Sequence, residues 1–180
     1  MSAYPNANNG FLPLSPFTSS NVTSEERSSA IDFVNRVNYL FEEFDTDKMS
    51  TAFLPDASVH HAYGVNQGKE ELTRFITKDY PPLIPGVSRH ATNHIVDRDE
   101  ETGGVVVRYN NLLLRHVWPT EADKVTADEA TMVMGLPGIW MWSTMSDRLK
   151  MTTEGWKISS RVIGALVVNK SLGPDGKPGA

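Results

Sequence analysis

Residues 139–168 read IWMWSTMSDRLKMTTEGWKISSRVIGALVV, and this stretch decides the fold. Ile139 to Met151 has the character of a long strand, Thr152 to Gly155 turns tightly, and Trp156 to Val168 returns as a second long strand. Two more strands precede them. Ser88 to Asp97 is one, and a polar turn through Gly103-Gly104 leads into Val105 to Trp118. Residues 119–130 form an acidic loop with a helical turn at Thr126.

The front half is helical. Thr23-x-x-Glu26 is a capping box, in which hydroxyl and carboxylate satisfy each other's orphan backbone N–H groups. Ala30, Val34, Val37, Phe41 and Phe44 follow at helical spacing, with Asp32, Arg36 and Glu42 on the other side. Asp45 stops this helix or caps a short second one, Asp47 to Phe53, which Leu54-Pro55-Asp56 breaks. Ser58 to Tyr63 alternates as a strand, Gly64 to Gly68 turns, and Lys69 to Lys78 is helical until Pro81, Pro82 and Pro85 end it. Helices followed by a meander of long strands predict an α+β domain: one curved sheet with about three helices on its concave face. The domain is expected at residues 23–168, with flexible ends at 1–22 and 169–180. Phe11, Leu12, Leu14 and Phe17 make the first of these arms sticky.

Composition excludes several classes. The 180 residues contain no cysteine, so disulfide frameworks, thiolate zinc sites and cysteine nucleophiles are ruled out. A net charge of −5 without a basic patch leaves nucleic acid no electrostatic footprint. The longest apolar runs are far below the ~20 residues needed to cross a bilayer. Without a basic, then apolar, leader the chain reads as cytoplasmic. No phosphate-binding, nucleophile-elbow or zinc-protease motif occurs, and neither cofactor nor metal is expected. His90-x-x-x-His94 lies on a strand, where four residues span about 13 Å and cannot chelate.

What remains is a set of strand histidines: His60, His61, His90, His94 and His116. Alternation groups Val59, His61 and Tyr63; His90, Thr92, His94 and Val96; and Asn110, Leu112, Leu114 and His116. A face that mixes aliphatic groups with histidine suits a proton-transfer pocket. Trp140 and Trp142 share a strand face and fit an aromatic pocket wall. Each residue has a plainer alternative. A single strand histidine or tryptophan is a core residue, Asp45 a helix cap, Arg115 a surface or dimer residue, and Asp147-Arg148 an exposed pair.

Four stretches carry a family resemblance. They are Phe44-Asp45-Thr46-Asp47-Lys48 with Leu54 to Val59; Gly68-Lys69-Glu70-Glu71-Leu72; Arg89-His90-Ala91-Thr92-Asn93-His94; and Ser146-Asp147-Arg148 with Glu154-Gly155-Trp156-Lys157-Ile158 and Arg161. In this order, over residues 24–168, the chain resembles the nuclear transport factor 2-like superfamily, in its SnoaL-like branch of polyketide cyclases and scytalone-dehydratase-type dehydratases. The resemblance implies a cone-shaped, curved mixed sheet, a pocket between sheet and helices, and a homodimer. It implies acid–base chemistry on an apolar cyclic, polyketide- or terpenoid-like metabolite. His90 matches the family's first histidine, and His116 the second if the preceding hairpin is one residue longer; Asp45 matches its aspartate. Phe44, His61 and Met145 stand where the family has two tyrosines and an asparagine, which argues for a different substrate. The expected catalytic set is therefore His90, His116, His61 and Asp45, with Tyr63, Asn110, Leu114, Trp140 and Trp142 binding substrate. The alternative is a non-catalytic binding or subunit-assembly module with the same pocket.

Overall fold

The computed structural model describes residues 14–175 apart from 63, 126–132 and 134. Phe11, Leu12, Tyr63, the turn at Thr126, Met132 and Met134 lie outside the described residues.

The capping box forms as the sequence dictates. Thr23 Oγ1 accepts from the Glu26 N–H, the Glu26 carboxylate accepts from the Thr23 N–H, and helix α1 runs Ser24–Glu43. The Thr23 backbone donor, followed by the Arg98 side chain, pulls the Glu26 carboxyl down to about 2. Phe44 closes α1 in a left-handed conformation, and Asp45 then caps the short helix α2, Thr46–Thr51. Strand β1, Phe53–His61, starts earlier than its alternation suggested. Its pairing with β6 lapses between Phe53 and Ser58, which leaves Pro55 where no ladder N–H is required. The predicted turn at 64–68 contains a short strand, β2 (Gly64–Gln67). Helix α3, Gly68–Arg74, continues through a wider π turn to Asp79.

The remaining strands are β3 (Val87–Arg98), β4 (Val105–Arg115), β5 (Gly138–Thr152) and β6 (Gly155–Val168). The sheet order is β2-β1-β6-β5-β4-β3. β1 lies parallel to β6 and every other pair is antiparallel, so the sheet is mixed. It curves around the helices. Ala30, Val34, Val37 and Phe41 bury one face of α1 against the sheet, and Trp156 Nε1 donates to Ser29 Oγ at 3.0 Å. A second apolar cluster of Val87, Leu113, Trp118, Trp140 and Leu172 closes the far end. Leu172 in that cluster, and Val22 in the main core, are both buried, so both expected arms are fastened where they leave the domain. No helix of the described residues is long and apolar enough to cross a membrane.

One irregularity sets the site. Thr92 pairs with Asn110 but Ile95 pairs with Arg108, so β3 carries one extra residue, with Asn93 in a left-handed conformation (φ 57°). Before this bulge the odd-numbered residues Val87 and Arg89 are buried; after it the even-numbered Val96 is. His90 and His94, placed on one face by strict alternation, therefore face opposite ways. Asparagine tolerates this backbone and a β-branched residue does not. Asn93→Val is expected to cost about 1–2 kcal/mol and Asn93→Gly less than half as much. Denaturant melts of the two variants check this.

Candidate active site

A cavity of about 660 Å³ opens between the helices and the inner face of the sheet, within the usual range for small-molecule sites. Most of its wall is apolar. Phe41 and Phe53 come from α1 and β1, Leu72, Phe75 and Ile76 from α3 and its extension, and Leu113, Met141, Met145 and Ile163 from the sheet.

His61 at the end of β1 lines this cavity. Its Nε2 lies 3.0 Å from the amide Nδ2 of Asn66, which is buried on β2, and its ring stacks on Phe75 at 5.5 Å. The hairpin β1–β2 pairs His61 with Gly64 and Val59 with Asn66, so Asn66 is positioned to orient the ring. Burial lowers the His61 pKa below its ordinary value, against a weaker opposite pull from Asp79. The imidazole is thus kept neutral near neutral pH, and it can take a proton at Nε2 once the Asn66 amide turns its oxygen to the ring.

The sheet contributes charge. Asp147 is fully buried on β5, and both its oxygens accept from Arg161 of β6, from Nε at 2.8 Å and Nη2 at 2.7 Å. Tyr109 of β4 donates its hydroxyl to the same carboxylate at 3.0 Å. Burial raises the Tyr109 pKa well above its ordinary value, so the phenol stays protonated. His94 stacks on the Tyr109 ring at 5.5 Å, its buried Nε2 unpartnered among the described residues, and burial lowers its pKa. Arg161 and Arg89 both line the cavity. Arg89 stacks its guanidinium on Tyr80 at 5.0 Å, while its backbone N–H donates to Glu42. Burial pulls its pKa down to about 10, so it remains a cation.

The structure brings only part of the expected set together. His61 is in the wall. His90 is exposed on the outer face, in contact with Ser88 Oγ at 2.9 Å, because Arg89 holds the inward position. His116 lies exposed beyond the end of β4. Asp45 spends its carboxylate on the Lys48 N–H and ammonium (2.7 Å), as a cap outside the cavity. Asn110 and Leu114 alternate with the cavity-lining Asn111 and Leu113 and so face outward. Trp140 sits in the far apolar cluster under the Arg115 guanidinium at 4.7 Å, and Trp142 is on the outer face opposite Leu112. Two charged residues read as surface groups are interior. Arg115 donates to the carbonyls of Leu172 and Pro85, and Asp147 forms the buried ion pair. Arg148 is the member of its pair that turns outward, to Glu101.

Sequence reasoning missed Arg89, Asn111 and Arg161. Arg89 was within reach of the alternation, since it is in phase with Val87. The other two required the strand register. A second recess of about 620 Å³ lies between α2, α3 and the β5–β6 turn, lined by Asp47, Lys69, Glu154 and Lys157 among others. Among the described residues none of the unpartnered buried polar atoms belongs to it, and its Lys157 ammonium is already taken up by the Thr51 carbonyl and Glu154.

The SnoaL-like domain family matches residues 22–162. Among solved structures, a nuclear transport factor 2-like protein with a cystatin-like fold from Novosphingobium aromaticivorans shares 15% identity at a TM-score of 0.60, over 77% of this chain and 80% of its own. A scytalone dehydratase-like protein from the same organism shares 16% identity at a TM-score of 0.59, over 81% and 88%. ActVI-ORFA from Streptomyces coelicolor shares 14% identity at a TM-score of 0.58, over 76% and 94%. These likenesses establish the fold. No curated protein matches the chain.

Proposed function

The chain belongs to the SnoaL-like domain family, and from that premise we propose that it is a cofactor-independent acid–base enzyme, a dehydratase, isomerase or cyclase, acting on an apolar cyclic metabolite of polyketide or terpenoid type. The observation that carries the reading is His61: a half-buried imidazole, oriented by Asn66, in the wall of an apolar cavity. In this mechanism His61 removes a proton from a carbon next to a ring carbonyl. Returning that proton at another carbon isomerises the ring, loss of a neighbouring hydroxyl as water dehydrates it, and attack of the carbanion on a second carbonyl closes a ring. The fixed dipoles and cations of the wall hold the oxygen on which charge develops. A chain without cysteine fits a cytoplasmic setting for this chemistry.

The test is proton exchange. A set of cyclic ketones and 1,3-diketones incubated with the protein in D2O is expected to gain deuterium at the acidic carbon faster than without protein, followed by NMR. Ketones that bind but do not exchange would instead support the second reading, a non-catalytic binding module. That reading is favoured by the placement of His90 and His116 outside the cavity.

We also propose a homodimer through the outer face of the sheet. Leu112, Leu114 and Trp142 adjoin there, and Ile139 and Val167 on the same face are 51% and 62% exposed. Light scattering is expected to give twice the chain mass at micromolar concentration, and the monomer mass for Trp142→Glu. A monomer mass for the unaltered protein would refute the dimer.

A further inference from the structure

Among the described residues, three buried polar atoms of the cavity wall have no hydrogen-bond partner: Arg89 Nη1, the Tyr80 hydroxyl and Asn111 Oδ1. Buried polar groups left unpaired are costly, and a charged one most of all. Their common position is informative. Arg89 stands opposite Leu113 across the β3–β4 ladder, and Asn111 is two residues along the same face, so the two are diagonal neighbours. Tyr80 lies under the Arg89 guanidinium, and Phe41 meets Tyr80 edge-on at 5.0 Å. Arg161, the other buried cation of the wall, has its carboxylate in Asp147. Among the described residues Arg89 has none on its guanidinium: Glu42 is nearby, but takes its hydrogen bond from the Arg89 backbone N–H.

The donor and acceptor inventory then specifies a ligand. A cationic guanidinium stacked on the ring of a phenol, with an N–H of the one and the hydroxyl of the other both unpaired, calls for an anionic oxygen. The neighbouring amide oxygen calls for a donor on the same molecule. The surrounding wall is aromatic and aliphatic. Resting on the reading that this cavity takes a small molecule, we infer that the ligand is a hydroxylated aromatic carboxylate, bound with its carboxylate on Arg89 and Tyr80 and its ring against Phe41 and Leu113. Arg89 is a binding residue here, distinct from the proton-transfer role of His61.

The probes are 6-hydroxy-2-naphthoate and its neutral counterpart 6-hydroxy-2-naphthamide, titrated into the full-length protein by calorimetry. The acid is expected to bind at least tenfold more tightly than the amide. Arg89→Met, which keeps length and apolar stem, is expected to bring the two affinities within twofold, and Arg89→Lys to retain a preference for the acid. His61→Gln is expected to keep the full preference while losing proton exchange, so the two readings fail separately. Equal binding of acid and amide by the unaltered protein overturns the inference and leaves a general apolar cavity. Absence of binding by both overturns the inference together with the small-molecule reading. Because the acid-to-amide ratio is measured on the unaltered protein, the inference is decided even where Arg89→Met does not fold.

Discussion

Asp147→Ala is expected to lower the stability of the fold by about 3–5 kcal/mol, seen as a fall in Tm on the order of 10 °C. The carboxylate has no exposed surface and receives two bonds from Arg161 and one from Tyr109. Burial works against the Arg161 charge, and the Asp147 carboxylate more than restores it, so the Arg161 pKa sits above its ordinary value. Removing the carboxylate leaves a buried guanidinium and a phenol hydroxyl without their acceptor. The double variant Asp147→Leu with Arg161→Met separates this from simple cavity formation. It removes both charges at similar volume and is expected to recover most of the loss. A single variant that loses under 1 kcal/mol in a urea melt would show that this pair does not hold β5 to β6.

The largest kinetic effect is expected at His61. His61→Gln keeps size and hydrogen bonding but cannot accept a proton near neutral pH, so turnover is expected to fall by about 10²–10⁴-fold with little change in ligand affinity. The pH dependence follows from the burial of the ring. Because the pKa lies below the ordinary histidine value of 6.5, the neutral, base-competent form persists through pH 6.5, and the rate declines only on further acidification. His90→Gln serves as the contrast: an exposed outer-face residue whose change is expected to alter neither rate nor stability measurably. A His61→Gln variant that exchanges protons at the normal rate would remove the imidazole from the mechanism.

Sequence pattern reached the fold through features that are local. The Thr23–Glu26 capping box, the apolar face of α1 and the turn at Thr152–Gly155 each depend on a few neighbouring residues, and all appear in the structure. The order of four short stretches pointed to the family that the chain belongs to. The site was legible only in part. Alternation grouped Asn110, Leu112 and Leu114 on one face of β4, as found, but Asn110 and Leu114 were expected in the pocket and it is Asn111 and Leu113 that line it. It could not say which set faces the cavity, because both mix polar and apolar groups and residues 105–109 of the strand are all buried. On β3 the bulge at Asn93 reverses the phase halfway along, and no pattern of period two contains that information. Asp147 and Arg161 are 14 residues apart and meet only through the register of β5 on β6. The histidines drew attention because they titrate near neutral pH, yet of the five only His61 lines the cavity.

The parallel pairing of β1 with β6 has a further consequence, for the order in which the chain can assemble. Ser58 bonds to Ser160, 102 residues away, whereas β3, β4, β5 and β6 follow one another as antiparallel neighbours. During synthesis the hairpin carrying His61 leaves the ribosome long before its neighbour exists. Closing so long a loop is entropically slow, so the meander is expected to form first and the β1–β2 edge to dock last. Until β6 is released, the wall that holds His61 has no sheet to join, and β1, paired only with β2 on one side, leaves its other edge open and Phe53, Ala57 and Val59 uncovered.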